Sequence, residues 1–79
     1  MEVTVRVATI LLGKARPPLD SRQFPLSLPD GTDVSGLITK LGIPPTLVGS
    51  VTVNKKRSDR DRALAEGDTV TLIPSISGG

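Results

Sequence analysis

The stretch VTVNKKRSDRDRALAEGDTVTLI, residues 51–73, decides the fold of this 79-residue chain. Apolar and polar residues alternate at both of its ends, in Val51–Val53 and in Thr69–Ile73. A period of two residues is typical of strands that bury one face. Turn-forming residues follow the first of these segments at Asn54–Lys56 and precede the second at Glu66–Asp68. The stretch therefore predicts two strands, with a polar connection between them.

Single apolar residues in this stretch indicate which side of each strand is buried. Val70 and Leu72 are predicted to point inward, and Ile73 outward, on the last strand. Leu64 is the one large apolar residue of the polar connection, and we expect it to anchor that segment in the core. Pro74 is predicted to end the strand, because proline lacks the backbone N–H that would continue the pairing.

Two further strands are predicted in the first third of the chain. Val3–Val7 alternates valine with polar residues, and Phe24–Leu28 alternates again. Pro25 makes the second of these an edge strand, because a central strand needs every N–H donor. Residues 14–23 are predicted to form a loop, in which the Pro17–Pro18 pair argues against a helix.

A short helix is predicted after the second strand. Asp33 is placed to accept hydrogen bonds from the exposed N–H groups of the first turn, and Gly42 can end the helix in a left-handed conformation. One apolar stripe follows the i, i+3, i+4, i+7 spacing of a helix face, and it consists of Val34, Leu37, Ile38 and Leu41.

The predicted elements follow the order strand, strand, helix, strand, short segment, strand. A single helix packed across one face of a small mixed sheet buries all the apolar faces at once, so the predicted fold class is α+β. We expect a folded domain over residues 1–73 and a flexible tail over residues 74–79. The predicted core consists of Val3, Val5, Val7, Phe24, Leu26, Leu28, Val34, Leu37, Ile38, Leu41, Val51, Val53, Leu64, Val70 and Leu72.

The composition removes most kinds of chemistry. The chain has no Cys and no His, which excludes disulfides, thiolate metal sites, a cysteine nucleophile and a histidine general base. We therefore expect no metal site and no enzyme activity of the chain alone. No apolar stretch approaches the roughly 20 residues of a membrane span, and no signal peptide opens the sequence. The expected location is cytoplasmic, without a membrane partner.

The two glycines at residues 78 and 79 close the printed sequence. Glycine residues at a terminus cannot pack, cap or donate a side chain, and the rest of the chain offers few reactive groups. The free α-carboxylate of Gly79 is therefore the candidate reactive group. The residues before it, Ile76, Ser77 and Gly78, are predicted to form a thin arm. Six extended residues from Pro74 onward would reach at most about 20 Å, enough to enter the active site of another protein.

Two groups of residues are candidate partner-binding surfaces. Ile73, Pro74 and Ile76 form an apolar lead-in to the tail, which is either ordinary surface or an interface. Basic residues crowd within eight positions, interleaved with two aspartates, in a segment named here the basic rim. The basic rim is either a solvated hairpin or a docking patch for an acidic partner, and its cations are Lys55, Lys56, Arg57, Arg60 and Arg62.

The segment from Val51 to Gly79 resembles the C-terminal signature of the ubiquitin-like sulfur carriers, the MoaD/ThiS family. The shared features are Val-Asn before a turn, a leucine ahead of Glu-Gly-Asp, a Val-x-Leu strand and the final Gly-Gly. The first strand and the start of the helix are compatible with the same family. One departure is Lys55, where family members often have glycine.

The resemblance implies a β-grasp fold and a reaction at Gly79. It implies that an E1-like enzyme uses ATP to adenylate the Gly79 carboxylate, which sulfur then converts to a thiocarboxylate. No cofactor would be bound by the carrier itself. The implied acceptor is the large subunit of molybdopterin synthase, or else thiazole synthase of the thiamin pathway. A proline before the tail, as at Pro74, is more similar to the molybdopterin branch of the family than to the thiamin branch.

Two alternatives stay open at this point. The tail could serve another sulfur pathway or join protein lysines as a ubiquitin-like modifier. From a different class, the chain could be a β-grasp binding module that uses the basic rim for RNA or an acidic protein. A nucleic-acid partner is not expected, because the mixed charge and the lack of stacking aromatic residues disfavour it.

Overall fold

The computed structural model describes residues 1–75 as one mixed sheet covered on one face by a helix. In chain order the elements are β1 (Glu2–Val7), α1 (Thr9–Leu12), β2 (Gln23–Ser27), α2 (Val34–Leu41), β3 (Val48–Val53), β4 (Lys56–Ser58) and β5 (Thr69–Pro74). A 3₁₀ turn, Pro45–Leu47, precedes β3. The predicted α+β class is confirmed, and the structure adds α1 and the strand β4 to the predicted order of elements.

The sheet has the strand order β2-β1-β5-β3-β4. The parallel pair β1–β5 lies at its centre, with Val5 opposite Val70, and every other pairing is antiparallel. The strand containing Pro25 lies at the edge, as predicted. The last strand of the chain is therefore held from both sides, by β1 and by β3, as far as Leu72, and its last two residues, Ile73 and Pro74, pair with β3 alone.

The helix α2 begins and ends as its sequence predicts. The Asp33 carboxylate accepts a hydrogen bond from the Gly36 N–H at 2.8 Å. Gly42 closes the helix with a φ of 71°, the left-handed region that glycine enters without steric cost. The four residues of the predicted apolar stripe are all buried against the sheet.

The core contains most of the predicted residues and several others. Phe24 and Leu26 are only half-buried, since β2 is an edge strand of the sheet. Leu64 is buried, as predicted. Four buried residues were not predicted, because they lie outside the period-2 segments and the helical stripe, and these are Leu11, Ala15, Ile43 and Val48.

Several elements differ from the sequence-based expectation, and one of them is the short strand β4, Lys56–Ser58, which lies in the predicted polar connection. A one-turn helix, α1, occupies Thr9–Leu12 ahead of the proline pair, because Leu11 drops into the core there. The strand β3 begins at Val48, three residues earlier than predicted, and β5 includes Pro74 as its last residue. Proline can adopt the extended backbone of a strand, and only its missing N–H prevents full pairing. It is therefore tolerated as the last residue of a strand. No helix within residues 1–75 is long and apolar enough to span a membrane.

Candidate functional site at the end of the last strand

The sheet face opposite α2 is not covered by any element of residues 1–75, and we call it the open face. Strand alternation puts the valines and leucines of the central strands under α2 and the polar residues on the open face. The open face presents Glu2, Thr4, Arg6, Ser50, Thr52, Arg57, Thr69, Thr71 and Ile73.

One row of directly paired residues crosses the whole open face. Gln23 lies opposite Arg6, Arg6 opposite Thr71, Thr71 opposite Thr52, and Thr52 opposite Arg57. Three strand spacings separate the two arginines, which places their Cα atoms about 14 Å apart. Two cations thus flank a neutral threonine pair across the middle of the open face.

Two adjoining grooves run over the same face. They have volumes of about 510 and 450 Å³, and both are lined by Arg6, Gln23 and Thr71. The first groove reaches Pro74 and the second reaches Lys55. The cations on the two grooves are Arg6, Arg22 and Lys55, and no carboxylate lines either groove within the described residues. Such a surface attracts an acidic partner.

The C-terminal end of β5 forms the border of the larger groove. Ile73 is 37% exposed and lies opposite Ser50, and Pro74 lies opposite Val48. Beyond the strand, the Ser75 N–H donates to the Leu47 carbonyl at 2.8 Å. The predicted tail residues Ile76, Ser77, Gly78 and Gly79 lie outside the described residues.

The turn between β3 and β4 contains two consecutive residues with positive φ, Asn54 at 54° and Lys55 at 71°. The prediction that Asn54 forms a turn is confirmed. Its side chain also joins the turn to β5: Asn54 Nδ2 donates to Asp68 Oδ1 at 2.9 Å, and the Thr69 N–H donates to Asn54 Oδ1 at 2.9 Å.

The basic rim does not form one surface. Lys56 pairs with Val53 and Arg57 with Thr52, so these neighbouring cations point to opposite faces of the sheet. The Arg60 guanidinium donates to the Pro45 carbonyl at 3.0 Å and to the Val48 carbonyl. The basic rim thus divides between the two faces of the sheet, because a strand alternates its side chains, and its role as a solvated hairpin or a docking patch stays a prediction.

The β3–β4 hairpin lies at one end of the sheet, and the end of β5 at Pro74 and Ser75, which we call the tail root, lies at the other. Val53, next to the hairpin turn, pairs with Val70, whereas Val48 pairs with Pro74. Five residues of strand separate the two ends, about 17 Å along the sheet. Of the predicted partner-binding residues, Arg57 and Ile73 share the open face, whereas Lys55 reaches it only through the smaller groove.

Sequence reasoning missed Arg6, Arg22 and Gln23. The alternation of the first strand does place Arg6 on its polar side, but nothing local indicates that it lies opposite Thr71. That contact depends on the parallel pairing of β1 with β5. The described residues contain no group of His, Cys, Asp and Glu that could hold a metal ion.

The family comparison covers most of the chain. The sequence profile of the ThiS family matches residues 10–79, which includes β5 and the final Gly-Gly. No protein of curated function matches the sequence significantly.

Solved structures with the same fold include a modifier protein and subunits of molybdopterin converting factor. Small archaeal modifier protein 1 of Haloferax volcanii superposes with a TM-score of 0.71 at 17% identity, covering 95% of this chain and 98% of that one. A protein of Pyrococcus furiosus, assigned as subunit 1 of molybdopterin converting factor, gives 0.71 at 19% identity, covering 96% and 99%.

A third structure is a complex of subunits 1 and 2 of molybdopterin-converting factor from Helicobacter pylori. It gives a TM-score of 0.62 at 22% identity and covers all of both chains. These likenesses confirm the predicted β-grasp, ubiquitin-like fold over essentially the whole molecule.

Proposed function

This chain belongs to the ThiS family, and from that premise we propose that it is a sulfur carrier whose Gly79 carboxylate becomes a thiocarboxylate. The observation that carries the proposal is the extent of the family match, which runs from residue 10 through Gly79. The fold supports the proposal because its last strand leads directly to those residues, beside a cationic groove.

The proposed chemistry takes place on a partner enzyme. A carboxylate is a poor electrophile, so a Gly79 oxygen first attacks the α-phosphorus of ATP, and pyrophosphate leaves. Sulfur at the sulfide level, as HS⁻, then attacks the acyl carbon; the bond from that carbon to the AMP oxygen breaks, AMP leaves, and a thiocarboxylate remains on Gly79. An E1-like enzyme would bind the ATP, and the carrier would bind no cofactor. The two glycines let the enzyme's backbone approach the reacting carbon closely.

We propose molybdopterin synthesis as the pathway that receives the sulfur. Two structural neighbours are described as subunit 1 of a molybdopterin converting factor. One of those was solved together with its subunit 2. By analogy, the partner of this chain would be the large subunit of molybdopterin synthase. Thiazole synthase of the thiamin pathway is the alternative acceptor within the same chemistry.

A second candidate function is protein modification. The neighbour from Haloferax volcanii is described as a small archaeal modifier protein. The same activated Gly79 carbonyl would then be attacked by a lysine Nζ of a target protein, which forms an amide in place of the thiocarboxylate. Both functions share the adenylation step, and they differ in the nucleophile.

We further propose that partners bind the open face with an acidic surface. Arg6, Arg22 and Lys55 supply the positive charge along the grooves, and Ile73 supplies an exposed apolar contact beside the tail root. A contact of this kind can anchor an interface, while the surrounding charges set the association rate.

The decisive experiment is mass spectrometry of the protein incubated with its E1-like partner, ATP and a sulfur donor. The C-terminal peptide should gain the mass of one oxygen-to-sulfur exchange. A variant that lacks Gly79 should fold as the parent does and gain no sulfur. Sulfur on the truncated chain would contradict the assignment of Gly79.

A second assay separates the candidate functions. The protein, its E1-like partner, ATP and a sulfur donor are incubated with a molybdopterin-synthase large subunit and its precursor, and in parallel with thiazole synthase. Molybdopterin formation is the expected result. Lysine-linked conjugates in place of either product would favour the modifier function.

A further inference from the structure

The strand β3 begins with an irregularity opposite the end of β5. Val48 pairs with Pro74 and Ser50 pairs with Ile73, so Gly49 is an extra residue between two consecutive pairings. This is the arrangement of a β-bulge, which bends a strand and redirects what lies beside it. Here, the chain that passes the bulge is the backbone of Pro74 and Ser75.

Gly49 is a glycine because that backbone occupies the space of a side chain. A Cβ built on Gly49 would lie 2.8 Å from Ser75 Cα, 3.0 Å from the Pro74 carbonyl oxygen and 3.2 Å from the Ser75 nitrogen. All three are main-chain atoms, which cannot rotate out of the way. Gly49 has no positive φ, so the requirement for glycine is steric and not conformational.

A hydrogen bond fixes the same backbone from the other side. Pro74 has no N–H, so the next donor in the chain is Ser75, whose N–H donates to the Leu47 carbonyl at 2.8 Å. The acceptor is itself held in place. The Arg60 guanidinium donates to the carbonyls of Pro45 and Val48, on either side of Leu47.

We propose that Leu47, Gly49 and Ser75 form a tail saddle, a seat that fixes the position and direction of the backbone from which residues 76–79 continue. The inference rests on the proposed function, since it is the Gly79 carboxylate that has to be presented. The cost of a misdirected terminus falls on the chemical step, because a displacement of about 1 Å at a reacting group can cost roughly a hundred-fold in rate.

The test compares Gly49→Ala with Gly13→Ala. Gly13 has a helical backbone and no atom within 4 Å of a built Cβ, so alanine there adds the same methyl group without a clash. In Gly49→Ala, the Ser75 amide should exchange with solvent about ten-fold faster than in the parent, as expected for one lost hydrogen bond. Gly13→Ala should exchange as the parent does.

The kinetic readout is the adenylation of the carrier by its E1-like partner. In Gly49→Ala, kcat should fall about ten- to a hundred-fold, while KM for the carrier stays near the parent value because the open face is unchanged. A merely structural role would lower the melting temperature and leave kcat of the folded fraction as it was.

Ser75→Pro keeps the test valid if Gly49→Ala does not fold. It removes the N–H donor to Leu47 without adding an atom to β3, and the strand conformation of Pro74 is the one that a following proline requires. Its melting temperature should fall by no more than one lost hydrogen bond accounts for, and its kcat should fall as in Gly49→Ala.

Two results would overturn the tail saddle. One is rapid exchange of the Ser75 amide in the parent, at the rate of an unfolded chain. The other is parent-like kcat in both Gly49→Ala and Ser75→Pro. Failure of the proposed function is a separate outcome: an E1-like enzyme that leaves the parent unmodified refutes the carrier assignment, and the amide exchange then decides the tail saddle alone.

Discussion

Two adjacent residues in the β3–β4 turn illustrate how far a single side chain matters in this protein. Both have positive φ, but only Asn54 makes side-chain hydrogen bonds that offset the conformational strain of a left-handed backbone. Its amide group donates a hydrogen bond to the carboxylate of Asp68, which is only 8% exposed, and accepts one from the Thr69 N–H. Lys55 is exposed and makes no side-chain hydrogen bond within the described residues.

Lys55→Gly should therefore stabilise the fold. A non-glycine residue in the left-handed region is strained, and removing its Cβ should raise the free energy of unfolding by about 0.5–1 kcal/mol after the added chain entropy is subtracted. Urea denaturation measures the change. Lys55→Ala removes the same charge but keeps the Cβ, so an equal gain in that variant would refute backbone strain as the cause.

Asn54→Gly should have the opposite effect. Glycine keeps the left-handed backbone available but removes both side-chain hydrogen bonds, which leaves the buried Asp68 carboxylate with one donor fewer. The free energy of unfolding should fall by about 1–2 kcal/mol. Lys55→Gly is the matched control, because it makes the same replacement one residue later, and a loss of equal size there would contradict the role given to the Asn54 amide.

At the scale of elements, α2 depends on its ends and on packing more than on helix propensity. It has eight residues, which is too short to be stable alone, and it contains Gly36. Alanine at position 36 would bring no simple gain, since its Cβ would meet Thr32 Cγ2 at 2.9 Å and the capping Asp33 Oδ1 at 3.3 Å. The cap and the glycine are thus fitted to each other.

Asp33→Ala should destabilise the protein through this cap. The Gly36 N–H would lose its acceptor, and loss of an N-cap residue typically costs about 1 kcal/mol. Thermal unfolding followed by circular dichroism measures the loss. Asp61→Ala, at an exposed aspartate, is the control for removal of a negative charge. An equal loss in the control would mean that charge, and not capping, is responsible.

At the scale of the whole molecule, the sheet separates two tasks. One face packs against α2 and holds the core, and the open face carries a cationic groove that ends at Pro74. A partner seated on the open face would lie next to Pro74 and Ser75, the last residues that the structure describes. Under the proposed function, docking and presentation of the tail would therefore be adjacent but use different residues.

Charge reversal on the open face should test that separation. Arg6→Glu and Arg57→Glu should each weaken association with the partner enzyme, mainly through a slower on-rate, and the loss should shrink as salt rises. Stopped-flow binding at low and high ionic strength measures both effects. Lys40→Glu, on the helix side, reverses one charge away from the groove. An equal loss in that variant would show that net charge alone governs binding.

The sequence by itself determined the parts of this protein that are encoded locally. The alternation in Val3–Val7 and Thr69–Ile73, the stripe on α2 and its Asp33 cap each depend on residues within a few positions of one another. These patterns can therefore be recognised in the sequence without knowledge of the fold. The family signature could be read for the same reason, since its motifs are contiguous.

Only the tertiary structure decided how distant residues meet. Arg6 joins Arg57 on one face because β1 pairs in parallel with a strand more than sixty positions away, and the register of that pairing leaves no local trace. Nothing in the sequence indicated the role of Gly49 either. Glycine is required there because the main chain of Ser75, distant in sequence, occupies the space of a side chain. The division of the basic rim also left no sign in the sequence, because Lys56 and Arg57, adjacent in the sequence, point to opposite faces of the sheet once they enter β4.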